Sequence, residues 1–308
     1  AGSYVRQAYK IGLELSDTTG LNPYKFGMIG STDTHNTGSC NEEDNYFGKA
    51  GCLASTPAYR LSTSLLSSIT QKMQPKDYDL KKWSAAALAG VWAEENTREA
   101  IYDALRRKEC FATTGTRIRV RFFAGYDFPR DLNQQRDMVK KAYETGVPMG
   151  SDLIAHAAGK APRFLVWATR DPLSAPLQRI QIVKGWMEAG KAREKVFDVA
   201  GSDDLMPDPE THRIPDNGAK VDLKTGQWDE DKGAAELSAV WTDPGFDPKQ
   251  QAFYYVRVLE NPTLRWSTYD ANKLGIAVPE ALPETIQERA YASPIWYSPS
   301  PSEQCERR

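Results

Sequence analysis

The chain has 308 residues, 40% of them hydrophobic, enough for a real core and for about two domains at one per 150 residues. Lys and Arg number 39 against 41 Asp and Glu, and the near balance, with no basic block, excludes a clustered nucleic-acid patch. No run approaches the roughly 18 apolar residues that span a membrane.

Val5, Ala8, Tyr9 and Leu13 recur three and four residues apart, the period of an amphipathic helix over 3–16. Gly20 and Pro23 end it. Phe26, Met28 and Ile29 then read as a short buried strand, closed by Gly30. A helix feeding a strand with polar residues just beyond it is one step of an α/β barrel or sheet. In such folds chemistry sits at the C-terminal ends of strands. Ser31-Thr32-Asp33-Thr34-His35 occupies that place. Asp33 and His35, one residue apart, point to the same side of the chain. Carboxylate and imidazole are good ligands for zinc, manganese or iron. A hydrogen-bonded Asp–His pair in a turn has the same spacing, so spacing alone leaves both readings open.

Residues 36–58 form a polar loop, long for a plain connection. Within it, Asn36, Glu43 and Asp44 are candidates for a pocket rim; a solvated acidic loop is the alternative. Cys40 and Cys52 close a short polar stretch, either as a disulfide, which implies export, or as two thiols. Residues 61–73 and 81–90 each have helical composition. The pattern is clearer over 96–108, where Asn96 can cap, Glu99 completes a capping box, and Ala100, Ile101, Ala104 and Leu105 form the apolar face. Glu94, Glu95 and Arg98 at its start are further rim candidates, though the helix dipole accounts for the acids equally well.

After Gly115 the period changes from 3.6 to two. Ile118, Val120 and Phe122 alternate with arginines, and similar runs follow at 163–169, 179–185, 194–200, 236–241, 252–260 and 293–298. Short strands between proline-rich turns point to an antiparallel sandwich or a strongly twisted sheet. The tryptophans in these runs suit a core better than a carbohydrate platform. Cys110 has the context of a small buried hydrophobe. His156 and His212, in loop contexts, read as surface residues. Motifs of the GxSxG, P-loop and GxGxxG types are absent.

The stretch FGMIGSTDTHN is similar to the last metal motif of the PHP (polymerase and histidinol phosphatase) superfamily, a strand ending in Gly-Ser-Asp-x-His, here with Thr32 inserted. Residues 90–122 resemble the segment that follows that motif. Taken with NEEDNYFGKAG, RIQIVKGW, AELSAVWTDP, FYYVRVLE and TIQERAYASPIWY, essentially the whole chain resembles a bacterial family catalogued as a domain of unknown function and related to PHP-type hydrolases.

The resemblance implies an α+β chain. Residues 1–115 would be the C-terminal part of a PHP-like α/β barrel, 116–298 an antiparallel β-sandwich-like accessory domain, and 299–308 a flexible tail. It implies a divalent metal (zinc, manganese or iron) held by Asp33 and His35. A metal-bound hydroxide would hydrolyse an ester or phosphoester bond of a small-molecule substrate. Family members are longer at the N-terminus, where the other ligands would lie, so the N-terminal remainder of the same protein is an expected partner and this fragment alone is expected to be inactive. No nucleic acid and no membrane span are expected; the compartment is open, periplasm or outside the cell included. The alternative is a non-catalytic binding or structural module with a vestigial Asp–His pair.

Overall fold

The structure is a computed structural model that describes residues 4–31, 34–35, 38, 40–48, 56–61, 84–85, 87–156 and 158–299. Asp33, Asn36, Cys52, most of the two helical stretches expected within 59–90, and all but the first residue of the expected tail lie outside them.

Two sheets face each other. The larger has eight strands: β1 (Leu88–Val91), β2 (Cys110–Thr113), β5 (Asp152–Ile154), β7 (Leu177–Glu188), β8 (Lys191–Gly201), β10 (Ala252–Glu260), β13 (Arg289–Ala292) and β14 (Ile295–Ser298). The smaller runs β4 (Val147–Pro148), β3 (Arg119–Gly125), β6 (Arg163–Thr169), β9 (Glu236–Thr242). A two-stranded ribbon, β11 (Thr263–Leu264) with β12 (Thr285–Ile286), lies apart. Among the described residues every strand pairing is antiparallel except β14 with β5. Among the described residues sheets and helices mix without a closed barrel, so α+β holds in that coarse sense.

Period two explains the layering. Along β10, Ala252, Tyr254, Val256 and Val258 point into the space between the sheets, where they meet Val120, Phe122 and Ala124 of β3 and Phe164, Val166 and Ala168 of β6. The intervening residues are apolar too. Phe253 and Tyr255, with Val183 and Met187 of β7 and Trp296 of β14, bury against Tyr9 and Leu13 of helix α1 (Val5–Thr19). Phe123 and Leu165 do the same on the far side of the smaller sheet, packing with Phe128, Leu132 and Ala142 of helix α4 (Met138–Thr145). The order is therefore helix, sheet, sheet, helix, and each fully buried large side chain contributes about 1.5–3 kcal/mol.

Three expectations are corrected. Phe26, Met28 and Ile29 form no strand: Phe26 and Ile29 are exposed, and the Met28 amide donates to the Ser293 hydroxyl (2.8 Å), a side chain and not a ladder partner. Residues 88–90, expected to be helical, are the strand β1. Their run of small residues carries no periodicity, and tertiary pairing with β2 decides the outcome. Helix α3 (Arg98–Arg106) starts later than expected, capped by the Thr97 hydroxyl, which accepts from the Ala100 amide; Asn96 is not the cap. The change near residue 115 is real in one respect, since β2 belongs to the larger sheet and β3 to the smaller. The larger sheet nevertheless draws strands from both sides of that point.

A further lobe packs helix α2 (Pro57–Leu61) on helix α5 (Trp266–Leu274). Arg60 clamps Asp270 through two bonds (2.6 and 2.7 Å), both side chains being buried. No helix of the described residues is long and apolar enough to cross a membrane.

Two cross-strand pairs set a glycine opposite a phenylalanine: Gly90 with Phe111 and Gly185 with Phe253. In each the ring lies over the glycine, so that an added Cβ would sit 2.1 or 2.2 Å from the ring's Cζ. This is aromatic covering of a bare backbone position. Gly185→Ala is expected to destabilise the chain by about 1–3 kcal/mol through overpacking against a ring with no room to yield, read from urea unfolding.

Candidate functional site

The segment carrying the Asp-x-His motif is anchored at its start. Gly27 lies against the Cys110 thiol and Lys108, and a Cβ at Gly30 would stand 2.4 Å from the Leu88 carbonyl oxygen and 2.9 Å from that of Thr113. Only glycine permits this approach to the β1–β2 pair. Five residues on, His35 is exposed; Asp33, its expected partner as a ligand, lies outside the described residues. Among the described residues no three His, Cys, Asp or Glu side chains are grouped to hold a metal ion.

The loop beyond the motif meets the chain just past that same end of β2. Asn41 donates to the Gly115 carbonyl (3.0 Å). Cys40 carries a free thiol, held on the Asn45 carbonyl and raised in pKa by burial; Cys52 lies outside the described residues. Glu43 is buried, contrary to a solvated acidic loop. Its two oxygens accept from the Ala85 amide (2.8 Å) and the Trp266 amide (2.7 Å). The second bond satisfies a donor at the open N-terminus of α5, where negative charge is favoured. Tyr46 stacks on Trp266, ring centroids 4.9 Å apart, and completes the attachment.

Between this loop and the end of the sheets lies a cavity of about 290 Å³. Its walls come from residues 41–44, the β2–β3 turn at 116–117, the segment 171–174, Trp228, β11, Tyr269 of α5, and Glu288 just ahead of β13. Glu43 and Asp44 are among these walls. Glu94, Glu95 and Arg98 are not among the walls of this cavity and are exposed around the start of α3. His156 is exposed and His212 half-buried against Phe197, away from the cavity. Trp266 and Trp296 are core residues.

Asp171 ties two walls together by accepting from the Arg117 amide (2.7 Å) and the Leu173 amide (2.9 Å). Behind it, Glu260 ends the inward-facing row of β10, at a bulge, and is completely buried. The Ser174 hydroxyl donates to it (2.6 Å). Glu288, 3% exposed, accepts from the Thr114 hydroxyl. Burial foremost, with Glu43 and Glu260 adding to it at Glu288 and Asp171 at Glu260, raises both carboxyl groups to about 8. Sequence reading missed Asp171, Ser174, Trp228, Glu260 and Glu288, which are scattered over more than a hundred residues. The only trace was a carboxylate, Glu260, in a row otherwise apolar.

These carboxyl groups tie stability to pH. In an unfolded chain glutamate loses its proton at about 4.3, whereas Glu260 and Glu288 keep theirs to about 8 in the fold. The folded state therefore binds more protons between those values, and stability falls as pH rises through that window. Glu288→Gln, which stays neutral, is expected to flatten this fall and raise the melting temperature at about pH 8 relative to the parent, as measured by thermal denaturation across pH.

The family model described as "Protein of unknown function (DUF3604)" matches residues 1–299. No curated protein and no solved structure matches the chain. The match spans nearly all of the 308 residues, so the chain belongs to that family, and the family's extent over this chain is not confined to a C-terminal part.

Proposed function

With membership of this family as the premise, we propose that the chain is part of a metal-dependent hydrolase acting on an ester, phosphoester or similar bond of a small molecule, with Asp33 and His35 among the metal ligands. The observation that carries the reading is the anchoring of the motif segment: Gly30 is pressed onto the β1–β2 pair, and His35 follows it, exposed. An exposed imidazole has the access that a ligand needs. A relation to the PHP hydrolases, and a PHP-like barrel to which residues 1–115 would contribute, belong to the same proposal.

The donor set is short. A catalytic zinc takes three protein ligands and keeps one position open, whereas the motif offers two and the described residues assemble no group of three. The metal would supply Lewis acidity; zinc, manganese and iron all suit a carboxylate and an imidazole. The described residues do other work: they hold Gly27 and Gly30 against the sheet and line a polar cavity beside the loop that follows the motif. That cavity also favours the second reading, a binding module without chemistry, because its polar walls do not depend on a metal.

The test is metal retention. After dialysis against metal-free buffer, this chain is expected to keep much less than one equivalent of zinc, manganese or iron, and to turn over neither a phosphoester nor a carboxylester. Titrated zinc should bind weakly, and more weakly still in Asp33→Ala and His35→Ala. Unchanged zinc binding in both variants would remove the pair from any metal site. Stoichiometric retention would show that two ligands were a miscount.

A further inference from the structure

The cavity can be taken further, independently of whether Asp33 and His35 hold a metal. Two aromatic side chains line it, Trp228 and Tyr269. Trp228 lies outside the named strands and is fixed by a hairpin. Its isolated bridge to Val221 is bracketed by backbone bonds from the Asp222 amide to Gln227 (2.8 Å) and from the Asp229 amide to Lys220 (3.1 Å). The Asp222 side chain ties the tip by accepting from the Lys224 and Thr225 amides (2.8 and 2.7 Å). Gly226, left-handed at φ 78°, lets the tip lie on Tyr269: a Cβ there would stand 3.1 Å from the Tyr269 hydroxyl oxygen. Asn272 of α5 docks the same tip by donating to the Leu223 carbonyl (2.8 Å). The hairpin therefore holds Trp228 in place before any ligand arrives. The residue is half-buried, but its indole Nε1 is shielded from solvent and has no acceptor among the described residues. A shielded donor of this kind calls for an acceptor from water or a ligand.

The polar walls are of mixed kind. Arg117 brings a guanidinium. Asp171 accepts one amide on each oxygen and keeps a second lone pair on both. The Ser174 hydroxyl gives its proton to Glu260 and can only accept from the cavity. Behind the walls, Arg265 acts on the buried Glu43 and Arg289 on the buried Glu288, so the acids do not stand alone. We propose that this cavity binds a neutral carbohydrate, a pyranose ring packed against Trp228 and Tyr269 with one of its hydroxyls accepting from the indole Nε1.

A pyranose has an apolar C–H face for the rings and a rim of hydroxyls, each of which both donates and accepts. Such hydroxyls match walls that offer a guanidinium and an indole N–H as donors beside Asp171 and Ser174 as acceptors. A full charge of either sign is opposed from one side or the other, an anion by Asp44 and Asp171, a cation by Arg117. The volume of about 290 Å³ sits at the small end of the roughly 300–1,000 Å³ range of ligand pockets, which suits a single ring. Leu173, 78% exposed although it lines the cavity, marks the mouth.

Saturation-transfer NMR and calorimetric titration of the whole chain with the methyl pyranosides of glucose, galactose and mannose test this. The buffer is metal-free, so the outcome does not depend on the Asp33–His35 reading. At least one glycoside is expected to bind at a single site, about fivefold or more tighter than its uronate and 2-amino counterparts, which share the ring and carry opposite charges. Trp228→Ala should cost about tenfold, and Trp228→Phe, which keeps a ring but removes the N–H, about threefold. Leu173→Trp, at the exposed mouth, should block entry and keeps the test alive if the Trp228 variants do not fold. No binding of any of the three glycosides at about 10 mM, equal or tighter binding of a charged counterpart, or unchanged affinity in a folded Trp228→Ala or in Leu173→Trp would overturn the proposal.

Discussion

The burial of both faces of β10 is the constraint on which the other layers depend. Alternate side chains from Ala252 to Val258 fill the space between the sheets, while Phe253 and Tyr255 fill the space beneath α1. A strand that is apolar on both sides cannot sit at a surface, so it must be central and covered twice. β10 meets this by pairing with β7, β13 and β14 while the smaller sheet covers one face and α1 the other. Where the inward row ends, at the bulge before Glu260, the apolar series gives way to a carboxyl group, and the polar cavity begins a few residues away.

The loop after the Asp-x-His motif reaches that same end of the molecule by polar contacts. Glu43 ties Ala85 and the start of α5 to one carboxylate, and Arg60 with Asp270 ties α2 to the middle of α5. Removing one partner of such a buried pair leaves an uncompensated charge, which typically costs 3–5 kcal/mol. The lobe is therefore held by a few specific bonds around the small apolar cluster of Tyr46, Leu61, Ala85 and Trp266. This arrangement makes the cavity wall at residues 41–44 a fixed surface continuous with the sheets.

Two chemistries differ in kind. The motif segment leaves β1 and β2 at Gly30 and presents His35 to solvent. In and behind the cavity walls, Glu288 and Glu260 are buried acids whose protons are retained near neutrality. Groups of the second sort are common at ligand sites.

The helix over 5–19, the strands after residue 118 and their antiparallel order were legible from periodicity, because a chain that must bury one face writes that face into its sequence at period 3.6 or two. Family membership was legible from motifs spread over the whole length. Other features were decided only in three dimensions. Leu88–Val91 has no period of its own and becomes a strand because Phe111 covers Gly90 across the pair. Phe26 and Ile29 look like a strand core but find no ladder. Glu43, Asp171, Glu260 and Glu288 read singly as ordinary surface acids. They become one site because the two sheets and α5 bring residues 43 and 288 together, and a distance of that kind in sequence leaves no local pattern to read.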